Sequence, residues 1–509
     1  MQAGNLLYRT IDSFQDWVKH NFIVRKLNTG FGLIFFSLLA ISLSYITVLV
    51  NAKTAIIIVG AMLGLLLMIL CLLYPLFGFY FTVFISVFTA MPERLLNTGM
   101  IPTGLIPEYF SYITLVGVIT KQEYRKEITS RFWSHGITVW MIVLLFYYLL
   151  EFFNPAMHGK LGWFNFIRKQ GSLFAFYYIS YCLITNRKTV NQMVNFWVAI
   201  SLLEALYACK QQWFGLFGFE TRWLMSDPIR MDLFINWGFT RKFGLLSDQA
   251  SSGILYGACG SFILILALRA KGLKKQVFLY TAAILNLLAS SYSGTRTATM
   301  IIVLGIAFYG VLTLYERRTI LFMAFCTIML VGIIVAPIYD NAVINRVRST
   351  FEPSSDNSAL IRDVNRRGVQ PYIYSHPIGG GIYTAGNIGM LYNPGHYLSH
   401  IPPDSGYMQI LMDQGYIGMI LTLIFYFYIL MTGSFYFYRV KDPDLKTIYA
   451  ANLVFLFCMM SAQISQMAIP MYPSVFYMYT IFALQLKMHY FDGSKSDDSY
   501  VAAESQNHE

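Results

Sequence analysis

The chain has 509 residues, of which 56% are hydrophobic and only 12% charged, with a mean hydropathy of +0.52. That balance excludes a soluble globular domain, which carries about 25% charged residues, and points to a polytopic membrane protein. The formal net charge of +11 sits in short clusters between apolar runs, as orientation signals do, so no nucleic-acid partner is expected.

Over residues 1–28, Leu7, Ile11, Phe14, Val18 and Phe22 recur at helical spacing with Trp17 beside them, which predicts a cytoplasmic helix lying on the membrane. The first long apolar run begins near Phe31 and has no small-residue cleavage site after it, so it reads as a retained anchor. Taking about 20 apolar residues per crossing, spans are predicted near 31–50, 54–73, 75–91, 104–120, 136–153, 170–186, 190–208, 249–268, 275–292, 297–315, 319–338, 406–433, 447–467 and 470–487. The fold class is therefore an all-α polytopic integral membrane protein with about 12–14 transmembrane helices. The lower count applies if the tightly joined second and third spans, or the last two, are re-entrant. Eleven helices would fill 29–337, interrupted by an outer loop at 209–248. A large extracytoplasmic loop would occupy 338–405, C-terminal spans 406–488, and a disordered cytoplasmic tail 489–509. The six cysteines lie in or beside apolar runs without paired spacing and read as small core residues.

Orientation comes from alternate short connections. Arg25 with Lys26, Lys121 with Arg125 and Lys126, Arg187 with Lys188, Arg269 with Lys271, Arg317 with Arg318, and Arg439 with Lys441 and Lys446 all fall on one side. Basic short loops face the cytoplasm, so both termini are expected inside and the two long polar segments outside. The outer segments favour arginine, including Arg94, Arg222, Arg230, Arg241, Arg296, Arg346, Arg348, Arg362, Arg366 and Arg367. A guanidinium holds phosphate or carboxylate through two hydrogen bonds, which suits a multiply charged anion such as a lipid diphosphate. Pairing with headgroups or nearby carboxylates is the plainer alternative.

Three stretches concentrate this chemistry. Arg241 to Ala250 leads into one span, and Ser290 to Thr299 sets Arg296 at the mouth of another. The third runs from Arg362, Arg366 and Arg367 through His376, Pro377 and the loop turn Gly379, Gly380 and Gly381 to His400, Asp404, Tyr407, Asp413 and Gly415. Ser-Gly-x-Arg before a span, an arginine fourteen residues ahead of His-Pro-x-Gly-Gly-Gly, and a polar pair leading into Tyr-x-x-x-Leu-x-Asp-x-Gly together resemble the O-antigen ligase and O-antigen polymerase family, integral membrane glycosyltransferases of the GT-C type. The motif region spans roughly Ser290 to Gly418.

The resemblance implies a metal-independent enzyme of the bacterial cytoplasmic (inner) membrane, without a cofactor. Its donor would be a glycan linked to polyprenyl diphosphate and its partner substrate a glycan acceptor, with membrane lipids around it and a chain-length regulator or flippase beside it. It makes Arg362 and Arg296, joined by Arg241, Arg366 and Arg367, the candidates for gripping the donor diphosphate. An acceptor hydroxyl then needs a base. Where the ligases carry a His, eleven residues before Gly415, this chain has Asp404. Asp404 is the favoured base and His400 the alternative, reaching from four residues earlier across Pro402 and Pro403.

Plainer readings stand beside these. His396, His400 and Asp404 have the spacing of metal ligands on one helical face, but two prolines interrupt it. Gly379 to Gly381 reads as a tight turn, since no phosphate-loop Lys follows. Asp442-Pro-Asp444 reads as a cytoplasmic turn. Trp213, Phe214, Trp223, Trp237, Tyr372 and Tyr374 read either as interfacial aromatics or as sugar-stacking rings. Polymerisation of O-antigen, capsule or exopolysaccharide repeat units is the first functional expectation, the departure at Asp404 favouring it. Ligation to lipid A core or another surface acceptor is the second. A transporter or flippase of an anionic lipid-linked substrate is a third, weakened by the absence of an internal repeat and of polar residues at mid-span.

Overall fold

The protein is described here by a computed structural model covering residues 29–49, 52–97, 102–125, 130–236, 239–335 and 357–493, with isolated residues near 13–20 and 344–351. The helix expected over 1–28, the tail from 494 onward and most of 336–356, Arg346 included, lie outside the described residues. The described residues are 79% helical. A helix stands at each of the fourteen predicted spans: α1 (Gly30–Leu49), α2 (Ala52–Leu73), α3 (Pro75–Val87), α5 (Leu105–Thr120), α6 (Gly136–Leu150), α7 (Leu161–Leu183), α8 (Arg187–Trp213), α11 (Gln249–Leu268), α12 (Leu273–Tyr292), α13 (Arg296–Leu312), α14 (Arg317–Val335), α17 (Gly406–Arg439), α18 (Pro443–Ala462) and α19 (Ser474–Lys487). Six of the described helices are long and apolar enough to cross a membrane by themselves: Gly136–Phe153, α8, α11, α14, α17 and α18.

Burial sorts these helices. Five-sixths of the spanning windows of α11 and α18 are buried, whereas α14 is almost wholly exposed at the periphery. The small residues of α11 explain its central place, because without an aqueous driving force helices in lipid associate through close packing. A Cβ on Gly257 would stand 3.1 Å from Ser290 Oγ of α12 and 3.2 Å from Ala298 O of α13, and one on Gly260 would stand 2.8 Å from Leu287. The glycines thus bring three helices together at one end of the bundle.

Where they are described, the two long polar segments contain regular elements. The first folds as α9 (Gly218–Met225), α10 (Pro228–Phe234) and a two-residue hairpin, β1 (Ile235–Asn236) with β2 (Phe239–Thr240), antiparallel with Ile235 opposite Thr240. The second contains α15 (Asn357–Ser375), α16 (Gly386–Tyr392) and a 3-10 turn at Tyr397–His400. α7 begins nine residues ahead of its predicted span, so Arg168 and Lys169 are helical. Arg168 pairs with Glu108 at 2.9 Å, and Lys169 donates to Pro470 O at 3.0 Å. At the opposite end of the bundle, Arg187 pairs with Asp442 and Asp444, and Arg269 with Glu316. Asp442 also accepts from the backbone of Asp444 and Leu445, the capped turn expected of Asp-Pro-Asp.

Candidate functional site

The site is organised by a break in α17. Ser405 caps this helix by accepting from Met408 N, and Gly415 interrupts it with φ +63° and ψ −162°. At the break the carbonyls of Met412 and Asp413 accept instead from Gly380 N at 2.9 Å and Gly381 N at 2.8 Å, while Tyr416 N donates to Pro377 O at 2.9 Å. The loop turn therefore takes up backbone groups that the broken helix leaves open, as buried backbone requires. Glycine is required on the loop side. Gly379 has φ +76°, and a Cβ there would stand 2.5 Å from Gly415 N and 2.6 Å from Asp413 O.

Asp413 fastens the same turn from within. Its buried carboxyl accepts from Gln409 Nε2 at 2.6 Å, Ala385 N at 3.1 Å, Tyr383 N at 3.2 Å, and both the backbone and hydroxyl of Thr384. Such a full set of donors offsets the cost of burying the group. Sequence reading placed Asp413 in a motif without giving it a role; here it holds the loop to α17.

The strapped loop sets α15 against the start of α17. Asn365 Nδ2 donates to Asp404 at 3.2 Å, and one residue later Arg366 Nη2 donates to Ile464 O at 3.2 Å. The Nε of Arg366 is buried without a hydrogen-bond acceptor. Arg362 is half-buried one helical turn earlier. Arg367 points elsewhere: it is 77% exposed and pairs with Asp363 at 2.7 Å. His400 is exposed at the end of its 3-10 turn.

Arg241 reaches this region from the hairpin. Its Nε donates to Ser293 O and its Nη2 to Thr295 Oγ1, both at 3.0 Å, and its Nη1 donates to Leu233 O at 3.4 Å. It lies against Gly294, whose φ of +60° turns the chain from α12 into α13. Arg241 therefore holds the turn that delivers Arg296, the half-buried first residue of α13. The next residue, Thr297, shares a 2.7 Å hydrogen bond with Ser465.

One short turn, residues 463–466 after α18, joins these parts. Ser465 touches the residue after Arg296, Ile464 O receives Arg366, and the carbonyls of Gln463 and Gln466 accept from Tyr407 N and Gly406 N just beyond Asp404. The turn thus gathers segments from remote stretches of sequence: the start of α13, which carries Arg296 and is braced by Arg241; α15, which carries Arg362 and Arg366; and the start of α17 just beyond Asp404. Sequence reading missed this turn and Asn365. The signal was the polar Gln-Ile-Ser-Gln run at the tight joint of the last two predicted spans.

Beneath the turn lies a mainly apolar cavity of about 290 Å³ between α6, α7, α17 and α19, lined by Tyr148, Leu173, Phe425 and Tyr426 and bordered by Gln409, Asp413 and Gln463. On the other side of α15, Tyr372, His376, His396, His158 and Tyr397 form a ring cluster. Burial, then the neighbouring His158 and His376, hold the His396 imidazole below the usual histidine range. His396 turns into this cluster and His400 outward, so the metal-like spacing of His396, His400 and Asp404 does not become a ligand set. Among the described residues no group of three His, Cys, Asp or Glu side chains is placed to hold a metal.

Fold and site define a multi-pass membrane protein with arginine and carboxylate gathered at one end of the bundle. Residues 281–423 match the family model described as O-Antigen ligase, which supports assignment to the O-antigen ligase and polymerase family. The matched stretch contains Arg296, Arg362, the glycine turn, Asp404 and Asp413, and leaves Arg241 outside. No curated protein matches the chain.

Proposed function

We propose that this protein transfers a glycan from a polyprenyl diphosphate donor to an acceptor glycan on the outer side of the cytoplasmic membrane, polymerising repeat units of a surface polysaccharide. The observation that carries this reading is the meeting, around the turn at 463–466, of the segments that carry Arg241, Arg296, Arg366 and Asp404. The arrangement supports a division of labour. Arg296, Arg362 and Arg366 face the diphosphate, Arg241 supports Arg296, and Asp404, oriented by Asn365, takes the acceptor proton. As the acceptor oxygen bonds to the sugar's C1, the C1–O bond to the diphosphate breaks and its electron pair leaves with the phosphate. Arginines preorganised around that oxygen lower the barrier without a metal. The apolar cavity under the turn suits part of an isoprenoid chain.

The basic connections at the opposite end of the bundle, around Arg187, Arg269, Arg317 and Arg439, support an outward-facing site with both termini inside. Ligation is the second reading, favoured by the description of the matching family model. Asp404 in place of the ligases' His favours polymerisation. The test is transfer by purified protein with chelator present, together with surface glycan length in a deletion strain carrying Arg296→Ala, Arg362→Ala or Asp404→Asn. Loss of long chains with accumulated single units, at normal protein levels, supports polymerisation. Loss of capped acceptor with long lipid-linked chains supports ligation, and normal glycan in all three variants rejects both.

A further inference from the structure

We propose that Tyr397, backed by Tyr372 and His376, is a docking platform for sugar rings that do not react, so that this site holds a glycan chain as well as its activated end; the inference rests on the glycosyltransferase reading above. Tyr372 is stacked by His376 at 4.0 Å and 7° and by Tyr397 at 5.4 Å and 18°. Its hydroxyl also meets His396 Nε2 at 3.3 Å, while His396 Nδ1 accepts from Leu398 N. Tyr372 is thus fixed from several sides. Tyr397, stacked on it, remains 57% exposed, and His400 is exposed three residues on. A rigid aromatic face beside polar groups matches a sugar ring, which presents C–H bonds on its faces and hydroxyls at its rim, and a ring already ordered loses little entropy on binding.

Position selects the occupant. Tyr372 lies seven residues after Asn365 on α15, about 10 Å along a helix, and Tyr397 lies seven residues before Asp404. The platform and the Asn365–Asp404 pair are therefore built on the same two segments and separated by a short oligosaccharide's length. An apolar tail has the cavity on the other side of α17, and a diphosphate has the arginines. The part of the substrate left for Tyr397 is its sugar chain.

The test uses the full chain in lipid nanodiscs and free oligosaccharide released from the producing strain's surface polysaccharide. Saturation-transfer NMR is expected to show ring-face protons of the sugar contacting wild type and Tyr397→Phe, with the signal lost in Tyr397→Ala. In transfer assays Tyr397→Ala should raise KM by about five- to ten-fold for the substrate carrying several repeat units, with kcat within about two-fold and no change for a single unit. Whether donor or acceptor shows the rise identifies whose chain sits there. Oligosaccharide binding absent from wild type, or equal in wild type and Tyr397→Ala, overturns the platform. If the NMR pattern holds while Asp404→Asn and Arg362→Ala transfer normally, the platform stands and the catalytic reading fails.

Discussion

Two polar segments leave the apolar bundle at the same end, and they use arginine differently. In the segment that ends at Asp248, cations serve as fasteners. Arg94, 1% exposed, reaches into it from α4 (Met91–Leu96), donates to Gly244 O at 2.7 Å and to Leu246 O, and lies 4.4 Å over Phe243. Burial lowers its guanidinium to about 10, with Glu220 and other neighbours opposing the shift, so it stays charged at neutral pH. Arg230 covers Trp223 at 4.2 Å and meets Glu93 at 3.5 Å. In the segment 357–405, Arg366 is only half-buried and gives one donor to a carbonyl, beside a carboxylate held by a single Asn; its Nε, like that of Arg94, is buried without an acceptor, so the two differ in exposure and in the donors already spent on carbonyls. The lesson is that arginine abundance does not mark an anion site. What matters is whether the guanidinium is sealed among the chain's own carbonyls and rings, as at Arg94, or still reaches the surface, as at Arg366.

The comparison can be broken most directly by activity. Arg366→Ala and Arg362→Ala are expected to reduce transfer by about 10²- to 10³-fold, whereas Arg230→Ala should leave the rate nearly unchanged; equal losses would erase the distinction. Stability should show the reverse order. Arg94→Met removes the donors to two buried carbonyls and should cost about 3 kcal/mol, seen as a lowered Tm in detergent, while Arg362→Ala should leave Tm in place. Gly379→Ala forces a Cβ into the α17 backbone at positive φ, at about 1–3 kcal/mol, and should be read as faster proteolysis of the glycine turn. Thr297→Val deletes one hydrogen bond to the joining turn, about 0.5–1.5 kcal/mol, and tests whether that turn sets Arg296.

Acidification gives a further probe of the second segment. His396 has its folded pKa depressed by burial, His158 and His376, so below the ordinary histidine value of about 6.5 the unfolded chain binds the extra proton more readily. The packing of this segment is therefore stable above that value and weakens as pH falls towards the depressed folded pKa. Hydrogen-exchange protection across residues 372–400, corrected for the intrinsic pH dependence of amide exchange, should fall as pH drops below about 6.5, by at most about 1.4 kcal/mol per pH unit. His396→Gln should flatten the dependence.

Helices were legible because their signal is local. A stretch such as 249–268 cannot satisfy its backbone in lipid except as a helix, and Asp248 ahead of it supplies the cap, its carboxylate accepting from Ser251 N at 2.8 Å. The motif residues were legible as types: Arg362, Arg366, Asp404 and the three glycines stood out against an apolar chain. Their grouping was not. Asn365 looks like any exposed helical residue until α15 meets Asp404, and Ser465 looks like a span end until it meets Thr297. Arg367, one residue from Arg366, shows the limit most plainly, since on a helix adjacent residues face different ways and it ends in an exposed pair with Asp363.

The sequence by itself determined an all-helical membrane chain, its helical segments and the residues capable of meeting an anion, because hydropathy and side-chain chemistry act over one element at a time. Only the tertiary structure decided which arginines are fasteners, which carboxylate is a pin at Asp413 and which is presented at Asp404, and which tyrosine is left uncovered. Those outcomes depend on a helix broken at Gly415 and a turn at 463–466 that join segments far apart in the chain. A broken helix has carbonyls to share, and the loop that takes them is the one placed to build the site.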